Sequence, residues 1–85
     1  MKNLVNVEII NIEGLVFQGQ ARQIVVPCVS GDIGVLPNHE QFVAELREGE
    51  VRILDNEDRV IKDVAVKSGT AEFYGDEGLR VLIDS

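Results

Sequence analysis

Gly49-Glu50-Val51-Arg52-Ile53-Leu54-Asp55-Asn56-Glu57-Asp58-Arg59 is a strand running into a reversal. Val51 and Ile53 alternate with Glu50 and Arg52, which places the apolar side chains on one face of an extended chain and the charges on the other. The polar cluster Asp55-Asn56-Glu57-Asp58 then turns the chain into Arg59 to Lys67, so the stretch predicts a β-hairpin.

The same rhythm extends in both directions. Apolar clusters rich in Val and Ile, bounded by Gly, Asn or Asp, recur at roughly 8 to 12 residues, the spacing of an all-β sandwich or barrel. Upstream, Val5, Val7 and Ile9 alternate with Asn6 and Glu8; Leu15-Val16-Phe17 follows Gly14; Arg22 to Pro27 follows Gly19; and Ile33 to Leu36 forms a further segment. Downstream, Ala71 to Tyr74 lies between Gly69 and Gly75, and Leu79, Val81 and Ile83 alternate after Gly78. Glu40 to Leu46 is ambiguous, because Phe42, Val43 and Leu46 would also share a helical face. Seven residues make a poor independent helix, and strands surround it, so it is read as a strand, the ninth. No helical stretch of about 10 to 15 residues separates the strands, which argues against a parallel α/β sheet.

With 85 residues the chain is read as one domain, 1–85, that buries only about 60 to 65% of its unfolded surface, leaving little room for a deep cleft. Cys28 is the only cysteine, so no intramolecular disulfide and no four-Cys zinc site is available, which suits a reducing compartment. The N-terminus has neither a signal core nor transit-peptide character, and no run approaches the ~18 apolar residues of a membrane span. The chain is expected on the soluble side. Net charge is −7 and falls entirely in residues 31–85, because Lys2 and Arg22 balance Glu8 and Glu13 before them. Basic residues are scattered singly among carboxylates, which disfavours nucleic acid and favours a basic protein surface.

Gly31-Asp32-Ile33-Gly34-Val35-Leu36-Pro37-Asn38-His39 concentrates the single His, one of two Pro and two of eight Gly, and is expected to be a shaped loop. Pro37-Asn38 is a turn signal, and Asn tolerates the left-handed region. The chemistry of an active site is missing around it. No Ser occupies a Gly-x-Ser-x-Gly turn, His39 and Cys28 fall short of the three ligands of a catalytic zinc, and Gly31 to Gly34 contains no phosphate-binding glycine pattern. Asp55 to Asp58 is no calcium loop, since Val60 and Val66 stand where an EF-hand needs its Gly and its last Glu. No catalytic residue, metal or cofactor is therefore read. Taken singly, His39 and Asp32 read as structural residues and Cys28 as a small buried one.

Taken together, Gly31 to His39, then Leu46-Arg47-Glu48-Gly49-Glu50-Val51-Arg52-Ile53, then Val66-Lys67-Ser68-Gly69 resemble the N-terminal domain of the ATP synthase epsilon subunit. Val7 to Ile10, Val16-Phe17-Gln18-Gly19 and Ile24-Val25-Val26 resemble that family's opening strands, so the resemblance spans essentially the whole chain. Asn38 and Thr70 stand at family glycines; Asn is the milder replacement, whereas Thr70 is expected to disturb the turn after Gly69. The resemblance implies a two-sheet β-sandwich of about ten short strands. It also implies a non-catalytic rotor part in the central stalk of the F-type ATP synthase, bound to the gamma subunit and the c-subunit ring. That part would sit at the cytoplasmic face of the bacterial inner membrane, associated with the membrane only through the complex. The family's C-terminal helical hairpin, with its inhibitory and ATP-binding activities, is not expected in a chain that stops at Ser85. By the same resemblance, Gly31, Asp32, Gly34, Pro37, Asn38 and His39 face the c-ring, with Asp32 toward basic ring loops and Pro37-Asn38-His39 keeping the loop's shape. The alternative from another class is a free-standing β-sandwich adaptor that binds a peptide or protein through a sheet edge.

Overall fold

The hairpin that the opening stretch requires is present. In the computed structural model, which describes residues 4–84, β6 (Gly49–Leu54) pairs with β7 (Val60–Val66) antiparallel, Val51 opposite Val64 and Arg52 opposite Asp63. Val51 and Ile53 are buried while Glu50 and Arg52 are exposed, so the alternation in sequence is the alternation in space. Asp55 shapes the reversal. Its backbone N–H donates to the Arg59 carbonyl at 2.9 Å, its carbonyl accepts from the Asp58 N–H at 3.1 Å, and its carboxylate accepts from the backbone N–H groups of Glu57 and Arg59 at 2.8 and 3.0 Å.

The other strands are β1 (Val5–Asn11), β2 (Gly14–Ala21), β3 (Gln23–Cys28), β4 (Gly31–Val35), β5 (Phe42–Leu46), β8 (Gly69–Phe73) and β9 (Leu79–Ile83). The ambiguous segment resolves as a strand. Phe42, Ala44 and Leu46 of β5 turn inward and Val43 and Glu45 outward, so Val43 does not join the helical face it would have shared. A 3-10 turn at Gly75–Glu77 between β8 and β9 has no counterpart in the apolar periodicity. Thr70, expected to disturb its turn, instead sits in regular β8, opposite Leu82 on one side and Glu45 on the other. A β-branched residue suits that half-buried strand position.

Hydrogen bonding runs in the order β2-β1-β9-β8-β5-β3-β6-β7, with β4 on the other edge of β3. One pairing is parallel, β1 with β9, Val7 opposite Leu79 and Ile9 opposite Val81. The path folds over into two layers, β2-β1-β9-β8-β5 and β4-β3-β6-β7. They are joined by one bridge pair, Cys28 with Leu46, where the strands change sheet. Between the layers lie Val5, Val7, Ile9, Phe73, Val81, Ile24, Val26, Val35, Val51 and Ile53, all buried. Each such side chain contributes about 1.5–3 kcal/mol on burial, and no charged or polar residue is buried among the described residues.

Candidate functional site

The strand read at Ile33 to Leu36 is present as β4, but it begins earlier and ends one residue sooner, so that Gly31 and Asp32 are strand as well. Ile33 and Val35 pack toward the core and pair with Val26 and Ile24, so period-two burial overrides the Gly density that suggested an irregular segment. The tight connection is Val29-Ser30, followed by Gly31 at φ +128°, a conformation that suits Gly and needs no close neighbour. Gly34 lies opposite Val25, with the side-chain amide of Gln23 over it.

Beyond β4, Leu36-Pro37-Asn38-His39 is a β-turn closed by the His39 N–H donating to the Leu36 carbonyl at 3.0 Å. Asn38 is not left-handed, contrary to expectation, since Asp58 is the one non-glycine with positive φ among the described residues. A turn with Pro and Asn at its two central positions needs no positive φ when it is type I. His39 is held in place by packing. Its Nδ1–H donates to the Glu40 carbonyl at 2.7 Å, and its ring stands edge-on to Phe42 at 5.2 Å and Phe73 at 6.1 Å.

Pairing registers separate the candidate residues into two places. Gly31 pairs with Cys28, and Cys28 with Leu46, so Asp32 lies at the Leu46 end of the sandwich. His39 lies against Phe42 and Phe73, which pair at the opposite end of β5. Asp32 to Val35 alone covers about 10 Å of strand. Gly31 and Asp32 therefore belong to one end, Pro37, Asn38 and His39 to the other, and Gly34 lies between. The six do not form the one loop surface that their contiguity in sequence suggested.

At the Leu46 end, Asp32 forms an ion pair with Arg47, both side chains nearly half exposed. The backbone N–H of Arg47 donates to the Pro27 carbonyl at 2.9 Å, and its Nη1 donates to the Glu48 carbonyl at 3.0 Å. Pro27 pairs with Asp32 in the β3–β4 ladder, so Arg47 is anchored to the residue beside the carboxylate it reaches. Sequence reading passed over this partner, because it lies 15 residues away on another strand connection. Beneath the pair is Cys28, fully buried; burial pushes its thiol pKa above the ordinary value, Asp32 adds to the rise, and Arg47 opposes it.

Two surface depressions lie elsewhere. One, of about 500 Å³, is lined by polar side chains including Asn6, Glu8, Gln18 and Arg80, with Arg80 donating to Glu8 at 3.3 Å; none of the six candidate residues lines it. The other, of about 310 Å³, has Pro37 and Asn38 on its wall with Val5, Phe73 and Asp76. Among the described residues no three His, Cys, Asp or Glu side chains gather as a metal site.

The fold is thus a β-sandwich that carries a half-exposed ion pair, Asp32 with Arg47, at the end where its two layers join. The family model for the β-sandwich domain of the ATP synthase delta/epsilon chain matches residues 4–85, and the chain belongs to that family. Among curated relatives, an ATP synthase epsilon chain 2 of Ralstonia nicotianae is 43% identical over 73% of this chain and 45% of its own length. An epsilon chain of Neisseria meningitidis serogroup C is 35% identical over 96% of this chain and 58% of its own. The chain thus spans about half the length of the curated relatives it matches. Among solved structures, the fold matches a chain of the Euglena gracilis mitochondrial ATP synthase, in an OSCP/F1/c-ring structure, with a TM-score of 0.87 at 15% identity over 100% of this chain and 53% of that one. A chain of the Tetrahymena thermophila mitochondrial ATP synthase central stalk and c-ring matches at 0.71 and 10% identity over 94% of this chain and 63% of that one.

Proposed function

We propose that this chain is a non-catalytic rotor element of a proton-transporting F-type ATP synthase. It sits in the central stalk against the gamma subunit and the c-ring and carries rotation toward catalytic sites on other subunits. Its place is the cytoplasmic face of a bacterial membrane, held there by the complex. Family membership and the central-stalk and c-ring assemblies of its structural relatives support this reading. A sandwich suits the task, because close-packed layers deform little under shear.

The observation that carries the docking role is the place of Asp32, on the short strand β4 at the end where the two layers are joined. There it offers a carboxylate to a basic ring surface, whereas Pro37, Asn38 and His39 shape the turn into β5 at the other end. A rim charge contributes only about 0–1 kcal/mol, so the contact sets fit more than affinity. The test is Asp32→Lys in a synthase reconstituted with the full-length subunit. Proton pumping per ATP hydrolysed should fall, and unchanged pumping with normal assembly rejects the contact.

A further inference from the structure

We propose that Arg47 is the positioning residue for the Asp32 contact, an inference that rests on the docking role just given to Asp32. A carboxylate has two oxygens and about four lone-pair sites. Arg47 Nη2 occupies Oδ1 of Asp32, and Oδ2 accepts no hydrogen bond from any described residue. One oxygen is held from within the domain and the other is left for a cationic partner.

Arg47 is itself fixed at three points. Its backbone N–H is bonded to the Pro27 carbonyl, its Nη1 to the Glu48 carbonyl, and its Nη2 to Asp32. Gly49 leaves the room this path needs, since a Cβ there would stand 2.9 Å from the Pro27 Cβ and 3.3 Å from Arg47 Nη1. The guanidinium thus passes over β3 from the β5–β6 connection to β4 and fixes a rotamer that an exposed Asp would otherwise sample freely. The partner it fits is a protein loop with an Arg or Lys that approaches the outer oxygen.

Charge and orientation make opposite demands here, which gives the test its sign. If Arg47 acted only through its charge, removing it would strengthen the attraction of Asp32 for a cation. If it positions the carboxylate, removing it weakens docking. Arg47→Met keeps the apolar stem over Pro27 and loses the donors; Arg47→Lys keeps one charged donor.

The experiment reconstitutes a synthase depleted of this subunit with full-length wild type, Asp32→Asn, Arg47→Met or Arg47→Lys. Two readouts are taken: the subunit concentration that half-restores coupled proton pumping, and the native-state reactivity of the Cys28 thiol. Asp32→Asn and Arg47→Met should each raise the half-restoring concentration by about threefold, the range of one partly exposed charged contact. Arg47→Lys should recover part of that loss, with Cys28 as unreactive as in wild type. No effect of Asp32→Asn would reject the docking role itself. An effect of Asp32→Asn with unchanged or tighter docking of Arg47→Met would overturn the positioning role and leave the docking role standing. A loss in Arg47→Met that tracks newly reactive Cys28 would assign Arg47 to holding the corner of the sandwich shut and would equally overturn it.

Discussion

Cys28 and Leu46 face each other at the single bridge pair that joins the two layers of the sandwich, flanked by the Val29 N–H donating to the Glu45 carbonyl at 2.8 Å and the Arg47 N–H donating to the Pro27 carbonyl at 2.9 Å. Both side chains are buried, so the corner where the sheets meet is closed by a small thiol and a Leu. Cys28→Ser places an unpaired hydroxyl there and should cost about 2 kcal/mol in urea denaturation, against about 1 kcal/mol or less for Cys28→Ala. Equal costs would show that the corner admits water. Because folding raises the thiol pKa above its ordinary 9.0, the associated stability is whole below that pH and is lost as pH rises toward the folded value, a loss absent from Cys28→Ala.

Gly69 lies against the backbone of Leu82 and Ile83, where a Cβ would strike the Leu82 carbonyl and approach the Ile83 Cα to 3.1 Å. Neither atom can yield, because Leu82 pairs with Thr70 and Ile83 with Gly69 in the β8–β9 ladder. Gly69→Ala should therefore destabilise by about 2–4 kcal/mol. Gly31→Ala has open space around it and meets only the strain of φ +128°, about 1 kcal/mol. Thermal melts of the two variants compare the costs directly, and equal shifts would rule out the Leu82 collision as the dominant effect.

Phe73 is the largest side chain in the core and packs its ring 6.2 Å from Phe42 and 6.1 Å from His39. Removing it leaves a cavity in the core, so Phe73→Ala should cost about 3–5 kcal/mol. Ile12, equally apolar by type, is 94% exposed in the β1–β2 turn, and Ile12→Ser should stay within about 0.5 kcal/mol of wild type. Urea midpoints at constant m-value make the comparison. A similar loss in both would mean that apolar character, rather than burial, sets the cost.

Strands were legible because burial has period two: Val51 and Ile53, or Val7 and Ile9, announce their face without knowledge of any partner. Pairing was not legible in the same way. Nothing in Val7 or Leu79 shows that the first and last strands lie side by side and parallel. The spatial separation of the candidate residues was hidden for a related reason. Gly31 to His39 is continuous in sequence, yet a strand carries its ends apart, so Asp32 goes with Arg47 and His39 with Phe42 and Phe73. Residue type correctly marked Pro37-Asn38 as a turn, whereas the Asp32–Arg47 pair follows from how β3 brings β4 and the β5–β6 connection together, which no local pattern encodes.

Asp55 couples the β6–β7 turn to pH. The backbone N–H groups of Arg59 and Glu57 hold its carboxyl below the ordinary 3.8, with the Arg59 side chain adding a smaller part through Nε at 3.0 Å. A carboxylate with a depressed folded pKa contributes stability that is present above the unfolded value and lost as pH falls through the folded one. Asp55→Asn keeps an oxygen for the two N–H groups and removes the charge. The stability gap between wild type and Asp55→Asn should be constant above about pH 5 and shrink as pH falls below 3.8. High salt should narrow the gap only in part, since it screens the exposed Arg59 guanidinium but leaves the backbone bonds in place. Denaturation curves across that range, with a titration of the Asp55 carboxyl carbon by NMR, check both statements. A gap that does not change with pH would mean that the turn is held by its backbone hydrogen bonds alone, without the carboxylate charge.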